Sequence, residues 1–178
     1  VITEQQSNQM PGQRLRILEV ASSQCHYGHS ICSDLNFNIS DYTFASHNET
    51  ALESVSHLRE RYPLVGSLAL DQTLTDSPYG LVILTFDNYQ PAQCLQQLQQ
   101  IKPLLAKDTT LLMCGMQPAF WLDFAFGSNN DWWLNEQSVQ TSAKQWLSTL
   151  DQQHFSNLEL LSEQSADNSF FLISSTYT

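Results

Sequence analysis

Apolar runs of strand length alternate along this chain with segments of helical period. Arg14–Val20 is such a run, buried at Ile17, Leu18 and Val20, and Tyr42–Ser46 and Leu64–Leu70 follow. Gly80–Phe86 is continuously apolar, as a central parallel strand should be. Thr109–Cys114 repeats that pattern. Between the runs, Gln24–Leu35 reads as a helix. Asn48 caps a second helix, with Leu52, Val55 and Leu58 inward and Pro63 at its end. Pro91 opens a third, buried along Cys94, Leu95, Leu98 and Ile101, and its glutamines (Gln93, Gln96, Gln97, Gln99, Gln100) form a solvated face. Thr141–Gln153 is a late helix with Trp146, Leu147 and Leu150 inward. Leu158–Leu161 and Phe170–Ser174 close the chain as an antiparallel pair. Alternating strands and helices predict an α/β domain with a mostly parallel sheet.

The 178 residues suit one domain over 14–178, preceded by a polar linker or edge segment over 1–13. A net charge of -11 with seven Lys and Arg excludes a nucleic-acid footprint. No apolar run reaches membrane-span length. The scattered cysteines, Cys25, Cys32, Cys94 and Cys114, fit reduced, buried thiols of a cytoplasmic protein.

The chemistry concentrates after the first strand. Glu19 ends an apolar strand that turns into a helix, the outline of a nucleotide-binding crossover. Such a turn normally carries glycines, which accept positive φ and let backbone approach the ligand. Here it reads Ala21, Ser22, Ser23, Gln24, Cys25, His26. The fold signal persists and the binding signal is overwritten.

Three segments carry a family resemblance: Leu15–Val20; Tyr42-Thr43-Phe44; and Trp121-Leu122-Asp123-Phe124-Ala125-Phe126-Gly127 followed by Trp132-Trp133, with weaker support from Tyr79–Ile83. In these the chain resembles the S-adenosylmethionine-dependent carbon-methyltransferase domains of modular polyketide synthases, in a degenerate, pseudo-methyltransferase form. The resemblance implies the Rossmann-like class I methyltransferase fold: a mostly parallel seven-stranded sheet, helices on both faces, and an antiparallel C-terminal strand.

It also implies what has been replaced. The family's turn glycines fall near Ala21, Ser23, Cys25 and His26, and its ribose-binding acid at Ser46. The acid before its fourth strand falls at Gly80, its catalytic histidine at Tyr89, and the glutamate orienting that histidine at Cys114 or Gly115. Tyrosine is too weak a base near neutrality to take the histidine's place. Glu19 and Asp71, which matches a position near the adenine, survive as vestigial cofactor positions. No catalytic residue and no bound cofactor are expected, S-adenosylmethionine being the ligand if the crevice is still competent. Family members carry a helical lid ahead of the core; only about fourteen residues precede the first strand here, so the lid is either cut off or absent, and a surface left by a missing lid is expected to dock neighbours.

Cys25, His29 and Cys32, with His26 adjacent and His47 after the second strand, have zinc-like spacing, but the reading is a packed helix face without metal. Ser22, Ser23 and His26 lack the elbow of an acyl hydrolase. Asp123, Asp131, Trp132 and Trp133 suggest a carbohydrate or acyl platform, or core and interface anchors. The expectation is a non-catalytic domain of a polyketide or fatty acid synthase, partnered by neighbouring synthase domains and by an acyl carrier protein. The alternative is an active enzyme that methylates the α-carbon of a carrier-bound β-ketoacyl chain.

Overall fold

A computed structural model describes residues 2–7, 12–70, 78–86, 91–134, 137–138, 140–161 and 170–178. Their backbone builds a seven-stranded sheet in the order β3-β2-β1-β4-β5-β9-β8. The strands are β1 (Leu15–Val20), β2 (Ser40–Ser46), β3 (Gly66–Ala69), β4 (Tyr79–Thr85), β5 (Leu105–Met116), β8 (Phe155–Leu160) and β9 (Phe170–Tyr177). β1 pairs in parallel with β2 and β4, β2 with β3, and β4 with β5, while β9 runs antiparallel between β5 and β8. A two-stranded hairpin, β6 (Trp133–Leu134) with β7 (Gln137–Ser138), stands apart. The expected α/β architecture, with its antiparallel C-terminal strand, is the one found.

The strand period of two divides the core between the faces. Leu18, Val20, Val82, Leu84, Leu111, Met113 and Ile173 pack under α5 (Pro91–Ile101) and α7 (Ala143–Gln152), through Cys94, Leu98, Ile101, Trp146 and Leu150. Leu15, Ile17, Phe44, Leu81 and Ile83 pack on the other side. They meet α2 (Gly28–Asp34), α3 (Glu49–Glu53) and α4 (Val55–Arg61) through Ile31, Cys32, Leu35, Ala51, Val55 and Leu58. The chain leaves β1 toward β2 on one side and returns through β4 on the other. The carboxyl ends of β1 and β4 therefore flank the topological switch point, where open α/β sheets place their ligand crevice.

Three local expectations change. The 1–13 segment, read as a linker, holds a helix, α1 (Ile2–Ser7). Ile2 packs against the α2-face core, Gln5 Nε2 donates to Thr110 Oγ1 (3.0 Å), and Gln6 Nε2 donates to Ser40 Oγ (2.9 Å). The helix after β1 starts at Gly28 rather than Gln24, because the preceding N–H groups go elsewhere, as described below. The helix capped by Asn48 divides at Ser54, whose hydroxyl donates to Ala51 O (2.6 Å) and accepts from Cys25 N (3.3 Å). A hydroxyl bonded back to its own turn interrupts a helix in this way.

Candidate functional site: the crevice at the end of β1

Glu19 organises the crevice. It is fully buried, yet each carboxylate oxygen is satisfied by the protein itself. Oε1 accepts from His26 N (2.7 Å) and Tyr27 N (3.1 Å), and Oε2 accepts from Tyr42 Oη (2.6 Å). These bonds wrap residues 23–27 over the carboxylate and delay the helix to Gly28. Gly28 is fixed by the same packing. A Cβ there would collide with Cys25 Sγ and come within 2.9 Å of Tyr42 Oη. Burial raises the Glu19 carboxyl above its usual range, against the opposing hydrogen bonds from Tyr42, Tyr27 and His26. Burial, with the Glu19 charge second, likewise raises the Tyr42 hydroxyl.

The cysteines are thiols in consequence. Cys25, 3.2 Å from Tyr42 Oη, is pushed up to about 11 by burial and then by the Glu19 charge. Cys32 is pushed up to about 12 by burial, then by Cys25 and Glu19. The zinc constellation comes apart: Arg61 Nη1 donates to His29 Nε2 (3.0 Å), and His47 Nε2 pairs with Gln100 Oε1 (2.6 Å). Among the described residues no group of three or more His, Cys, Asp or Glu is placed to hold a metal.

Further internal hydrogen bonds run along the rest of the crevice, although Gln97 Oε1 and Thr85 Oγ1 stay buried without a partner among the described residues. Ser22 Oγ accepts from Gln97 Nε2 (2.6 Å), and Ser22 O accepts from Asn48 Nδ2 (3.3 Å). Ser46, fully buried at the end of β2, accepts from Asn48 N (3.1 Å) through its Oγ. Ala21 is buried under the turn, and its N–H donates to Ala45 O (3.3 Å). The glutamine face of α5 is therefore not wholly solvated. Gln97 and Gln100 reach back to the ends of β1 and β2 and line, with Ser22 and His47, a cleft of about 310 Å³.

A second cleft, of about 290 Å³, lies over β4 and β5 between Ser23, His26, Tyr27, Thr85, Cys114 and Phe170. Ser23 Oγ lies 3.1 Å from His26 Nε2 at its rim. Cys114 and Gly115 do reach this cleft. Burial raises the Cys114 thiol, a hydrogen bond to Tyr27 acting against it. Gly115 leaves no room for a side chain, since a Cβ would lie 2.5 Å from the Phe171 ring. Gly80 sits at the amino end of β4, away from the crevice, which removes it from any ligand-binding set. Asp71 and Tyr89 lie outside the described residues.

The tryptophan segment forms its own unit. Asp123, on α6 (Phe120–Phe126), accepts from Trp132 Nε1 (2.8 Å) and Gln140 Nε2 (2.7 Å). The Trp132 and Gln140 bonds, with a further one from Ser138, hold the Asp123 carboxyl below its usual range. Trp132 is buried, its ring 5.3 Å from that of Phe126, whereas Trp133 is exposed, with its Nε1 donating to Gly127 O (2.8 Å). Asp131 lies in the short helical turn Asn130–Trp132.

Tyr42, Asn48, Gln97 and Tyr27 are crevice residues that sequence reasoning missed. One signal was present for Tyr42, since a carboxylate inside an apolar strand requires donors from its neighbours.

No family model and no curated protein matches the chain. Solved structures do. The CurJ carbon methyltransferase superposes with a TM-score of 0.81 at 20% identity, over 99% of this chain and 52% of that one. The DszA carbon methyltransferase gives 0.75 at 19%, over 99% and 50%. The CMeT domain of the citrinin polyketide synthase gives 0.70 at 18%, over 94% and 47%. The chain has the methyltransferase fold. It spans about half the length of these methyltransferases. In that fold the crevice of Glu19, Ser22 and Ser46 occupies the switch point at which nucleotide ligands bind. Among the described residues no helix of this methyltransferase fold is long and apolar enough to cross a membrane.

Proposed function

We propose that this chain is a non-catalytic methyltransferase-like domain of a polyketide or fatty acid synthase, retained as a structural or docking module beside other synthase domains. One observation supports the reading: the acceptors Glu19, Ser22 and Ser46 are already bonded within the protein, while Gln97 Oε1 and Thr85 Oγ1 beside them are buried without a partner among the described residues. Glu19 accepts from Tyr42, His26 and Tyr27, Ser22 accepts from Gln97, and Ser46 accepts from Asn48. A ribose needs a free acceptor at the end of β2, and Ser46 Oγ is turned onto its own backbone. A methionine moiety needs a bare turn, and side chains stand at Ala21, Ser23 and Cys25. S-adenosylmethionine does not fit these residues.

Thermal shift and isothermal titration with S-adenosylmethionine and S-adenosylhomocysteine test the reading. A ligand at 100 times its dissociation constant adds about 2.7 kcal/mol of stability. No shift and no heat are expected; micromolar binding overturns the proposal.

A further inference from the structure

α6 is an inverted helix. Its sequence is Phe-Trp-Leu-Asp-Phe-Ala-Phe, and Leu122 is the buried member. Phe120 and Phe124, four residues apart and hence on one side, are 85% and 87% exposed, Trp121 is 49% exposed, and Trp133 is 41% exposed. Side chains of this kind bury 150–250 Å² each, so Phe120 and Phe124 alone leave roughly 300 Å² of ring uncovered, the size at which an apolar patch marks an interaction.

The patch is held rigidly. Asp123 is clamped by Trp132 and Gln140, and Trp133 is tied to Gly127 O. A Cβ on Gly127 would collide with Asp123 O, so the turn that brings Trp133 against the helix end needs glycine. A preformed surface loses little freedom on binding.

Charge selects the occupant. Asp123 sits on α6 itself, and the sequence from Thr109 to Ala143 holds neither Lys nor Arg, within a molecule of net charge -11. A second copy or an anionic lipid surface meets repulsion here. A cationic partner gains both from the acidic field and from Lys or Arg over the exposed ring faces. The hydrogen bonds of α6 are internal and it offers no strand edge, so recognition falls to side chains, as in helix-against-helix docking. We propose that α6 and Trp133 form a docking surface for an amphipathic, Lys/Arg-bearing helix of a partner protein. The proposal specifies the partner for the docking role above, and it is tested without adenosylmethionine, so either can fail alone.

The probe is a labelled Leu/Lys peptide of about 18 residues, long enough to form an amphipathic helix, followed by fluorescence anisotropy at about 0.15 M salt. Controls are a Leu/Glu peptide of the same pattern and a Lys/Gly/Ser peptide of equal charge. The Leu/Lys peptide is expected to bind at least tenfold more tightly than either control. F120S/F124S should weaken it at least tenfold while leaving the unfolding temperature unchanged. Equal binding by the parent and the double variant overturns the proposal, as does preference for the Leu/Glu peptide. Self-association, or pelleting with phosphatidylserine vesicles, that is lost in F120S/F124S also overturns it, by identifying a different occupant.

Discussion

At the scale of the residue, Glu19 is the hinge of the structure. Its carboxylate takes the place of helical turns for His26 and Tyr27 and anchors Tyr42 across the sheet. Glu19→Ala leaves these three donors unmet, and at 1–3 kcal/mol for a buried orphan it should cost several kcal/mol, about 3 or more, in urea melts. Glu19→Gln keeps the shape and should cost less. The sign of the pH dependence follows from burial. The folded carboxyl sits above its unfolded value, so its contribution is complete below the unfolded value and is lost as pH rises through the folded one. The stability of Glu19→Gln relative to the parent should therefore increase as pH rises from acid to neutral; a difference independent of pH contradicts the assignment. The cysteines give a second readout. With Cys25 pushed up to about 11 and Cys32 to about 12, native-state alkylation at pH 8 should run about 100-fold slower at Cys25 and about 1000-fold slower at Cys32 than for an ordinary thiol, and recover on unfolding.

At the scale of the element, the sequence was most legible where periodicity governs. β1, β2, β4, α5 and α7 fall within a few residues of their apolar patterns, because each buries one continuous stripe. α7 shows why its start was sharp: Ser142 Oγ accepts from Gln145 N, and the Gln145 side chain bonds back to Ser142 N, a complete capping box. Ser142→Ala should lower stability by about 1 kcal/mol, measured as a shift of the denaturation midpoint. Legibility failed where a side chain overrides the pattern. Residues 24–27 look helical, but the amides of His26 and Tyr27 donate to Glu19 and that of Cys25 to Ser54 Oγ. Ser54 breaks a helix whose apolar spacing is unbroken. α1 is short and polar, and its place is set by Gln5 and Gln6 reaching the sheet, which no local signal announces. The aromatic pattern of α6 leaves core and interface open in the sequence, and the fold turns Leu122 inward and Phe120 and Phe124 outward. Gly28→Ala should destabilise by about 1–3 kcal/mol through overpacking against Cys25, Leu58 and Tyr42.

At the scale of the molecule, strand order and the antiparallel β9 put this chain in the methyltransferase fold, and its crevice lies where that fold binds ligands. That the turn after β1 carries Ala21, Ser23, Cys25 and His26 instead of glycine, and that β2 ends in Ser46, could be read from the sequence. How the crevice closes could not, because it depends on Gln97 and Asn48 arriving from distant segments to meet Ser22 and Ser46. Glu19, Ser22 and Ser46 are met within the chain, and this supports the proposed non-catalytic reading. The central claim is that no adenosyl cofactor enters, and isothermal titration of the intact chain with S-adenosylmethionine tests it most directly. The account predicts no heat beyond dilution up to millimolar ligand; a saturable isotherm in the micromolar range would contradict it.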